Sequence, residues 1–315
     1  MTPDTPDRRS SILVWVALGI VYVVWGSTYL GIAIMIETMP PMLSGAMRFL
    51  TAALLLGSFL VLRKGREVFR MTRRQFGGAA LIGLLLLTGG NGMVAVAEQH
   101  ISSGLAALLV ASVPLWLVVF RIAVRDRPGV LTLAGVLVGF GGVAAVSLSG
   151  GGAGGDATGI VVILLASASW SVGSFLSGRI AMPANTFAAS TIEMVAGGLG
   201  MIVVGTVAGE RLDLAVVSGR SWAALAYLVL VGSLVGFTAY TWLLGNAPIS
   251  LVSTYAYVNP VVAVILGVLI LSEQPTAQIL LGGLVILVGV ALVVSTERRR
   301  PVKTPEPAEA VSTTT

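Results

Sequence analysis

Two stretches of the chain, ISSGLAALLVASVP at residues 101–114 and APISLVSTYAYVNP at residues 247–260, can be laid on each other at an offset of 146 residues. Both are apolar, and both end in a proline. With one inserted residue the correspondence continues through three further pairs: Pro128 with Pro275, Gly135 with Gly282, and Gly142 with Gly289. Trp25 falls near Trp170 at an offset of 145. The chain is therefore predicted to consist of two related halves.

The composition of the chain indicates a membrane protein. Of its 315 residues 56% are hydrophobic and only 10% are charged, and the mean hydropathy is +0.96. Soluble domains usually carry about 25% charged residues. The chain has no cysteine and one histidine, His100, which excludes disulfides, thiolate chemistry and the usual zinc sites. We expect no cofactor and no metal.

Ten stretches are long and apolar enough to cross a bilayer, which takes roughly 20 residues. They are 12–36, 41–62, 76–97, 104–124, 130–148, 158–180, 186–207, 222–243, 251–271 and 278–295. The segments between them are too short to form a soluble domain. The chain thus divides into an N-terminal segment 1–11, a first five-helix repeat 12–149, a second five-helix repeat 158–296, and a tail 297–315. The tail is rich in Pro, Thr and Glu, and we expect it to be disordered.

The distribution of basic residues predicts the orientation of the chain. If the N-terminus is cytoplasmic, 16 of the 19 Lys and Arg lie at cytoplasmic ends, while only Arg211 and Arg220 lie in outer loops. Both termini are then cytoplasmic, in a multi-pass protein of the inner (plasma) membrane. The positive net charge of +5 is thus a topological feature and not a nucleic-acid footprint.

Because each half has an odd number of spans, the second half must enter the membrane with the opposite orientation. Inverted repeats are typical of secondary transporters, which alternate between two arrangements of the halves. The predicted fold is an all-α membrane protein of ten transmembrane helices, built as two inverted five-helix repeats around a central cavity.

Several local motifs resemble the drug/metabolite transporter superfamily in its ten-helix EamA-type branch, over roughly residues 12–296. They are Trp25-Gly-Ser-Thr-Tyr, Pro40-Pro41, Arg48-Phe49, Gly90-Asn-Gly-Met, Ala97-Glu98-Gln99, Ser103-Gly-Leu-Ala-Ala, Ser112-Val-Pro-Leu-Trp116, Ser253-Thr-Tyr-Ala-Tyr-Val-Asn-Pro260 and Glu273. The resemblance implies a central cavity and export of amino acids, related metabolites or drugs. It does not identify the substrate.

Polar and aromatic residues inside the spans are candidates for substrate contact, since such residues are costly in a membrane. In the sixth span, Ser167, Trp170, Ser171 and Ser174 share one helical face. Packing through small residues is the alternative for this face. The candidate substrate-binding residues are Trp25, Thr28, Asn91, Ser112, Trp116, Trp170, Ser174, Trp242, Tyr255, Tyr257 and Asn259.

A second group of residues is predicted to act in gating. Pro114 and Pro260 occupy equivalent places and would kink their helices, either as moving gates or as fixed bends. Arg48 and Glu193 are the charges well inside spans, again at nearly equivalent places. We expect ion pairs that hold each closed gate. Arg48 would pair with Glu98 or Glu37, and Glu193 with Arg179 or Arg121. The alternative makes Glu193 a proton carrier.

These features favour a secondary transporter that acts by alternating access, and the resemblance implies export of amino acids and related small metabolites. The alternative within this class is a broad exporter of drugs or toxic aromatic compounds. A channel is the alternative of a different class, although no filter-like segment is visible. An intramembrane enzyme would need a set of catalytic residues deep inside the membrane. The sequence also has no Walker A motif, which argues against transport driven by ATP. The expected partners are a small-molecule substrate and the lipid bilayer, without nucleic acid. Monomer and oligomer both stay open.

Overall fold

The computed structural model describes residues 8–125, 128–149, 156–247, 249–252 and 254–297. The first repeat consists of α1 (Arg8–Met35), α2 (Pro41–Lys64), α3 (Arg73–Ala97), α4 (Ser103–Ala123) and α5 (Val130–Ser149). The second consists of α6 (Ala157–Ser177), α7 (Thr186–Val207), α8 (Gly219–Tyr227 continuing to Gly236–Asn246), α9 (Tyr255–Leu271) and α10 (Ala277–Glu297). Two short helices, Arg66–Phe69 and Ile249–Val252, precede α3 and α9. The described residues contain no strand.

The helices match the ten predicted spans in number and order. Within the described residues, nine helices are long and apolar enough to cross a membrane. The tenth, α9, has 17 residues and spans about 26 Å at 1.5 Å per residue. The predicted architecture of ten membrane-spanning helices in two inverted five-helix repeats is confirmed. The predicted disordered tail lies outside the described residues except for Glu297, and residues 1–7 of the N-terminal segment also lie outside them.

The contacts between helices follow the two-fold relation of the repeats. Helix α1 packs against α8 and α9, and its counterpart α6 packs against α3 and α4. Each of the pairs α2 with α7, α4 with α9 and α5 with α10 joins a helix to its own counterpart. Glycines make the α5–α10 contact close, because a Cβ on Gly289 would lie 2.4 Å from the backbone of Gly139.

The two ends of the bundle differ in charge. One end holds the α1–α2, α3–α4, α7–α8 and α9–α10 connections, and we call it the acidic end after its four glutamates, Glu37, Glu98, Glu210 and Glu273. The other end, which we call the basic end, holds the α2–α3 and α6–α7 connections. Its basic residues include Arg63, Lys64, Arg73, Arg74 and Arg179. The positive-inside rule predicts that the basic end faces the cytoplasm.

Candidate substrate site

Helices α3 and α8 each contain a π-helical segment at an equivalent position. The segments are Leu84–Gly92 and Leu228–Val235, and their first residues are 144 positions apart, close to the offset of the repeat. A π-helical turn is wider than an α-helical turn and occurs frequently at functional sites. The α3 segment includes Gly89-Gly-Asn-Gly92, the glycine-rich stretch that carries Asn91.

The two tryptophans that correspond in the repeat pack against corresponding glycines. A Cβ placed on Gly90 of α3 would lie 2.7 Å from Cε3 of Trp170, and a Cβ placed on Gly236 of α8 would lie 2.7 Å from Nε1 of Trp25. Each indole therefore occupies space that only a glycine leaves open. The two contacts are related by the same symmetry as the halves, so they place the π-helical segments against α6 and α1.

Arg48 of α2 bridges the two π-helical segments. Its side chain is buried, with 5% of the residue exposed. Nε donates to Oγ of Ser233 in the α8 segment, at 3.2 Å, and Nη1 donates to Oδ1 of Asn91 in the α3 segment, at 3.2 Å. The guanidinium also lies 4.8 Å from the ring centre of Phe49. We call Arg48, Asn91 and Ser233 the Arg48 site.

The predicted ion pairs of Arg48 are wrong. Both partners in the Arg48 site are neutral, and Glu37 instead lies 3.6 Å from Arg220. Both carboxylate oxygens of Glu98 are buried without a hydrogen bond. Arg48 lies seven residues into α2, about 10 Å from the acidic end, and turns toward α3 and α8. Its charge therefore has no carboxylate at ion-pair distance within the described part of the chain.

The predicted ion pair of Glu193 with Arg179 is also wrong, since no ion pair joins these two side chains in the described part of the chain. The pairing of Glu193 with Arg121 stays a prediction. Arg179 lies over the ring of Phe175, 3.6 Å from its centre, and donates to the Phe175 carbonyl at 2.8 Å. The backbone of Glu193 packs against α3, because a Cβ on Gly83 would lie 2.3 Å from the Glu193 carbonyl oxygen. Equivalent places in the two halves thus have different environments.

Trp25 belongs to an aromatic group formed by α1, α8 and α9. Its ring centre lies 4.9 Å from that of Tyr240 and 5.3 Å from that of Tyr255, and the second pair meets edge to face. One turn along α1, Thr28 donates to the Trp25 carbonyl at 2.6 Å. A Cβ on Gly232 would touch the Thr28 methyl at 3.2 Å and Nη2 of Arg48 at 3.5 Å. Thr28 and the Arg48 site therefore lie on either side of Gly232.

Comparison with known proteins agrees with the fold and the pairing of the halves. Residues 12–148 and 157–295 each match the EamA-like transporter family. The chain belongs to the EamA-like transporter family. A relative in Escherichia coli (strain K12), the "uncharacterized inner membrane transporter YedA", is 42% identical over 252 residues, which cover 80% of each chain.

More distant relatives of this EamA-like transporter come from other lineages. The Bacillus subtilis (strain 168) "uncharacterized transporter YdfC" is 25% identical over 284 residues, covering 90% of this chain and 91% of its own. A chloroplastic WAT1-related protein of Arabidopsis thaliana is 26% identical over 294 residues, covering 90% of this chain and 70% of its own. A solved crystal structure shares the fold at 21% identity with a TM-score of 0.61, covering 90% of this chain and 98% of that chain.

Family membership confirms the interpretation of the chain as a membrane transporter. The apolar helices and the name of YedA support a multi-pass location in the inner membrane. The substrate class, the direction of transport and the cytoplasmic location of the termini stay predictions.

Helix α4 of the transporter is interrupted where Pro114 was expected to kink it. The helix has two parts, Ser103–Val110 and Val113–Ala123, and Pro114 lies in the first turn of the second part. Ser112 is fully buried at the break and donates to the Leu109 carbonyl at 2.6 Å, so it serves the backbone. Trp116 has its Nε1 buried without a hydrogen-bond partner. It packs with Phe120 of α4 and Phe140 of α5, and Phe120 in turn packs with Phe175 of α6.

Helix α9 of the transporter keeps its proline inside the helix. Pro260 is buried there, next to Asn259, whose Oδ1 is buried without a hydrogen-bond partner. Helix α1 packs closely on this point, since a Cβ on Gly26 would lie 3.0 Å from the Asn259 carbonyl oxygen. The backbone of Asn259 therefore packs on α1 two residues before Thr28.

The remaining predicted residues are not brought into this group. Ser174 of α6 is half-buried, and its carbonyl accepts a hydrogen bond from Ser177 at 2.8 Å. Trp242 lines an apolar groove between α1 and α8, and Tyr257 lines another between α9 and α10. Of the predicted α6 stripe, Ser167 and Ser171 donate to the carbonyls of Ile163 and Ser167, which supports the packing alternative.

Sequence reasoning missed three groups that the structure brings to the site or to its acidic end. Ser233 and Tyr240 contact Arg48 and Trp25 from α8, and only the nearby glycines of that helix marked the position. Glu210 accepts from the backbone nitrogens of Met42 and Leu43 at 3.1 and 2.9 Å. Glu273 was quoted only as part of the family motifs, and its carboxylate caps α4.

Proposed function

We propose that this transporter exports amino acids and related small metabolites across the inner membrane by alternating access. The observation that carries the proposal is the buried charge of Arg48, whose hydrogen-bond partners among the described residues are the neutral side chains of Ser233 and Asn91. A buried charge without a counter-charge is costly, and an anion that binds there removes the cost. A carboxylate matches the planar guanidinium with two parallel hydrogen bonds.

The Arg48 site is also suited to alternating access, because it joins helices of both halves. Asn91 belongs to α3 of the first repeat and Ser233 to α8 of the second. A carboxylate that displaces either partner changes how Arg48 links the two π-helical segments. Substrate binding would then weaken the link between the halves, which is what a change of access requires.

The rest of an amino acid has candidate partners nearby. Oδ1 of Asn259 is an unused acceptor, suited to an ammonium group, and the backbone of Asn259 packs on Gly26 of α1, two residues before Thr28. Trp25 offers an aromatic face for an apolar or aromatic side chain. Both residues are predicted from the sequence to contact the substrate.

The experiment compares amino acids with amines that lack the carboxylate. Purified transporter in liposomes is tested for saturable uptake of labelled leucine and phenylalanine, and of isoamylamine and phenethylamine. We expect saturable transport of the amino acids only. Arg48→Met should lower their uptake by about 100-fold, the order expected from the loss of about 3 kcal/mol of charge-assisted hydrogen bonding. Arg48→Lys keeps the charge but not the paired geometry, and should fall between Arg48→Met and the parent chain.

Arg179→Met is the matched control, because Arg179 lies at the basic end over Phe175, away from the Arg48 site. Its uptake should equal that of the parent chain. Saturable transport of the amines, with no loss in Arg48→Met, would overturn the proposal. Linear uptake without saturation would instead favour a channel.

One observation favours the alternative, a broad exporter of drugs or toxic aromatic compounds. Trp116 has an unused N–H donor and lies in a group of three phenylalanine rings, which together suit an aromatic solute. In that case Trp116→Ala should abolish export of an aromatic dye such as ethidium, while Arg48→Met leaves it unchanged. The opposite pattern supports the carboxylate proposal.

A further inference from the structure

Glu98 has an environment unlike that of the other described acids of the acidic end. It follows the last residue of α3, in the short connection before α4 begins at Ser103. Both of its carboxylate oxygens are inaccessible to solvent, and neither has a hydrogen-bond partner. Glu37, by contrast, is exposed and lies near Arg220, and Glu210 accepts two backbone hydrogen bonds.

The groups that face Glu98 make its ionised form unfavourable. Glu273, at the end of α9, lies close enough for its charge to act on Glu98, and burial acts in the same direction. Burial first, and the charge of Glu273 second, raise the pKa of Glu98 well above its usual range. From α1 the facing group is Tyr29, which carries no positive charge. His100, two residues along the chain, lies 3.5 Å from Asp156 instead.

Glu273 is held where its charge can act on Glu98. Its Oε1 accepts from the backbone nitrogen of Ser103 at 2.8 Å and from the Ser103 hydroxyl at 2.7 Å, and its Oε2 accepts from the nitrogen of Gly104 at 3.1 Å. These bonds join α9 of the second repeat to α4 of the first. The same contact therefore ties the halves together at the acidic end and places a charge beside Glu98.

We propose that Glu98 is a proton-binding site, which holds a proton while the acidic end is closed and releases it to water when that end opens. A proton fits this place better than a metal ion, because the described residues contain no group of three or more metal-ligating side chains. On opening, the O–H bond of the carboxylic acid breaks and the proton passes to water, leaving a hydrated carboxylate. This inference goes beyond the proposed function, since it holds for any substrate.

The sign of the pH dependence follows from the raised pKa. The closed arrangement raises the pKa of Glu98, so protonation stabilises closure. The stabilisation of the closed arrangement by the proton is fully present below the pKa of hydrated Glu98. It is lost as the pH rises through the higher pKa that Glu98 has in the closed arrangement. One proton changes the ratio of closed to open by up to about tenfold per pH unit. A low pH at the acidic end would therefore close that end and protonate Glu98.

The test uses cysteine accessibility, which is direct in a chain without cysteine. Met39→Cys places a thiol at a position of the acidic end that is 2% exposed, and Leu214→Cys places one at the same end that is 60% exposed. The full chain in liposomes is labelled with a membrane-impermeant maleimide from pH 5 to 9, without substrate. Labelling at position 39 is divided by labelling at position 214, which removes the pH dependence of the thiol reaction itself.

We expect the ratio to rise at least about tenfold with pH in the parent chain. Glu98→Gln, which mimics the protonated acid, should keep the ratio low and change it by less than about twofold across the range. Glu273→Gln should move the midpoint to lower pH, because it removes the neighbouring charge, and it tests the proposal even if Glu98→Gln does not fold. Glu37→Gln is the matched control at the same end and should behave like the parent chain.

A pH-independent ratio in the parent chain, or a Glu98→Gln variant that follows the parent curve, would overturn the proposal. So would a third result, in which Glu98→Gln abolishes amino-acid uptake while the parent ratio stays flat, since Glu98 would then bind the substrate ammonium. Because no substrate enters the labelling, failure of the amino-acid proposal leaves this result unchanged.

Discussion

The acidic and basic ends join the two repeats by different chemistry. At the acidic end, Glu210 and Glu273 of the second repeat accept hydrogen bonds from the first turns of α2 and α4 in the first repeat. At the basic end, the described contacts between the repeats include the backbone of Gly78 against Ala181 and a 2.9 Å hydrogen bond between Thr132 and Thr296. One end is closed by charge at helix termini, and the other by close packing and neutral groups.

This difference predicts that the two ends respond to different substitutions. Hydrogen bonds from helix termini to carboxylates can be exchanged for bonds to water at small net cost, so they allow reversible opening. Close backbone packing has no such exchange with water, and it depends on the volume of the atoms at the contact. Removing charge should therefore open the acidic end, whereas adding volume should disturb the basic end. The two inverted halves are thus joined in different ways at the two ends of the bundle.

The largest expected effect comes from Glu273→Ala at the acidic end. The change leaves two backbone nitrogens and one hydroxyl at the start of α4 without their acceptor, and should weaken closure by about 3 kcal/mol. Labelling of Met39→Cys at pH 6 should rise by about 100-fold. Glu210→Ala removes an acceptor from two nitrogens and should have a smaller effect in the same direction. Equal or absent effects of the two changes would contradict closure by charge.

The sequence predicted the elements of this comparison better than their connections. Hydropathy and the repeat were sufficient for the ten helices, because lipid imposes a length and an apolar composition on every span. Proline marked the break in α4, although the break is a turn rather than a kink. The equivalence of Trp25 and Trp170 was visible in the offset. Their glycine partners were not, since those contacts cross between the repeats.

The charged residues show where sequence reasoning ends. Arg48 and Glu193 were assigned partners from their depth along a helix, but the rotation of a helix decides which neighbour a side chain meets. Arg48 turns to Asn91 and Ser233, so its partners lie on two other helices. The π-helical segments follow no hydropathy period, and only glycine content hinted at them. Burial of Glu98 depends on how α1, α4 and α9 meet, which no local pattern encodes.

The second largest expected effect comes from adding volume to a side chain at the basic end. Gly78→Ala would place a methyl group 2.1 Å from the Ala181 carbonyl oxygen. The backbone must move to accommodate this methyl group, at a cost of about 1–3 kcal/mol. Its neighbour Gly77 has nothing within 4 Å of the same added atom. Gly77→Ala should therefore leave the melting temperature unchanged or raise it slightly. We expect Gly78→Ala alone to lower the melting temperature in detergent and to leave labelling of Met39→Cys at the parent rate. Faster labelling in Gly78→Ala would show that the ends are not independent.

The smallest expected effect comes from Asp156→Asn, which changes an exposed acid of the acidic end rather than one of the acids that join the halves. Asp156 precedes α6 and accepts from the Thr158 nitrogen at 3.1 Å. This hydrogen bond is the largest of the influences that lower the pKa of Asp156, and His100 adds a smaller one. A lowered pKa means that the stabilisation is present above the usual pKa of an aspartate and is lost as the pH falls through the lowered value. Asp156→Asn should thus reduce the melting temperature slightly at neutral pH, and the difference from the parent chain should vanish in acid.

Because Asp156 is exposed whereas Glu98 is enclosed, the variant should keep the full pH response of Met39→Cys labelling. Loss of that response would mean that the closure of the acidic end is sensitive to its surface charge in general, rather than to the enclosed carboxyl group of Glu98.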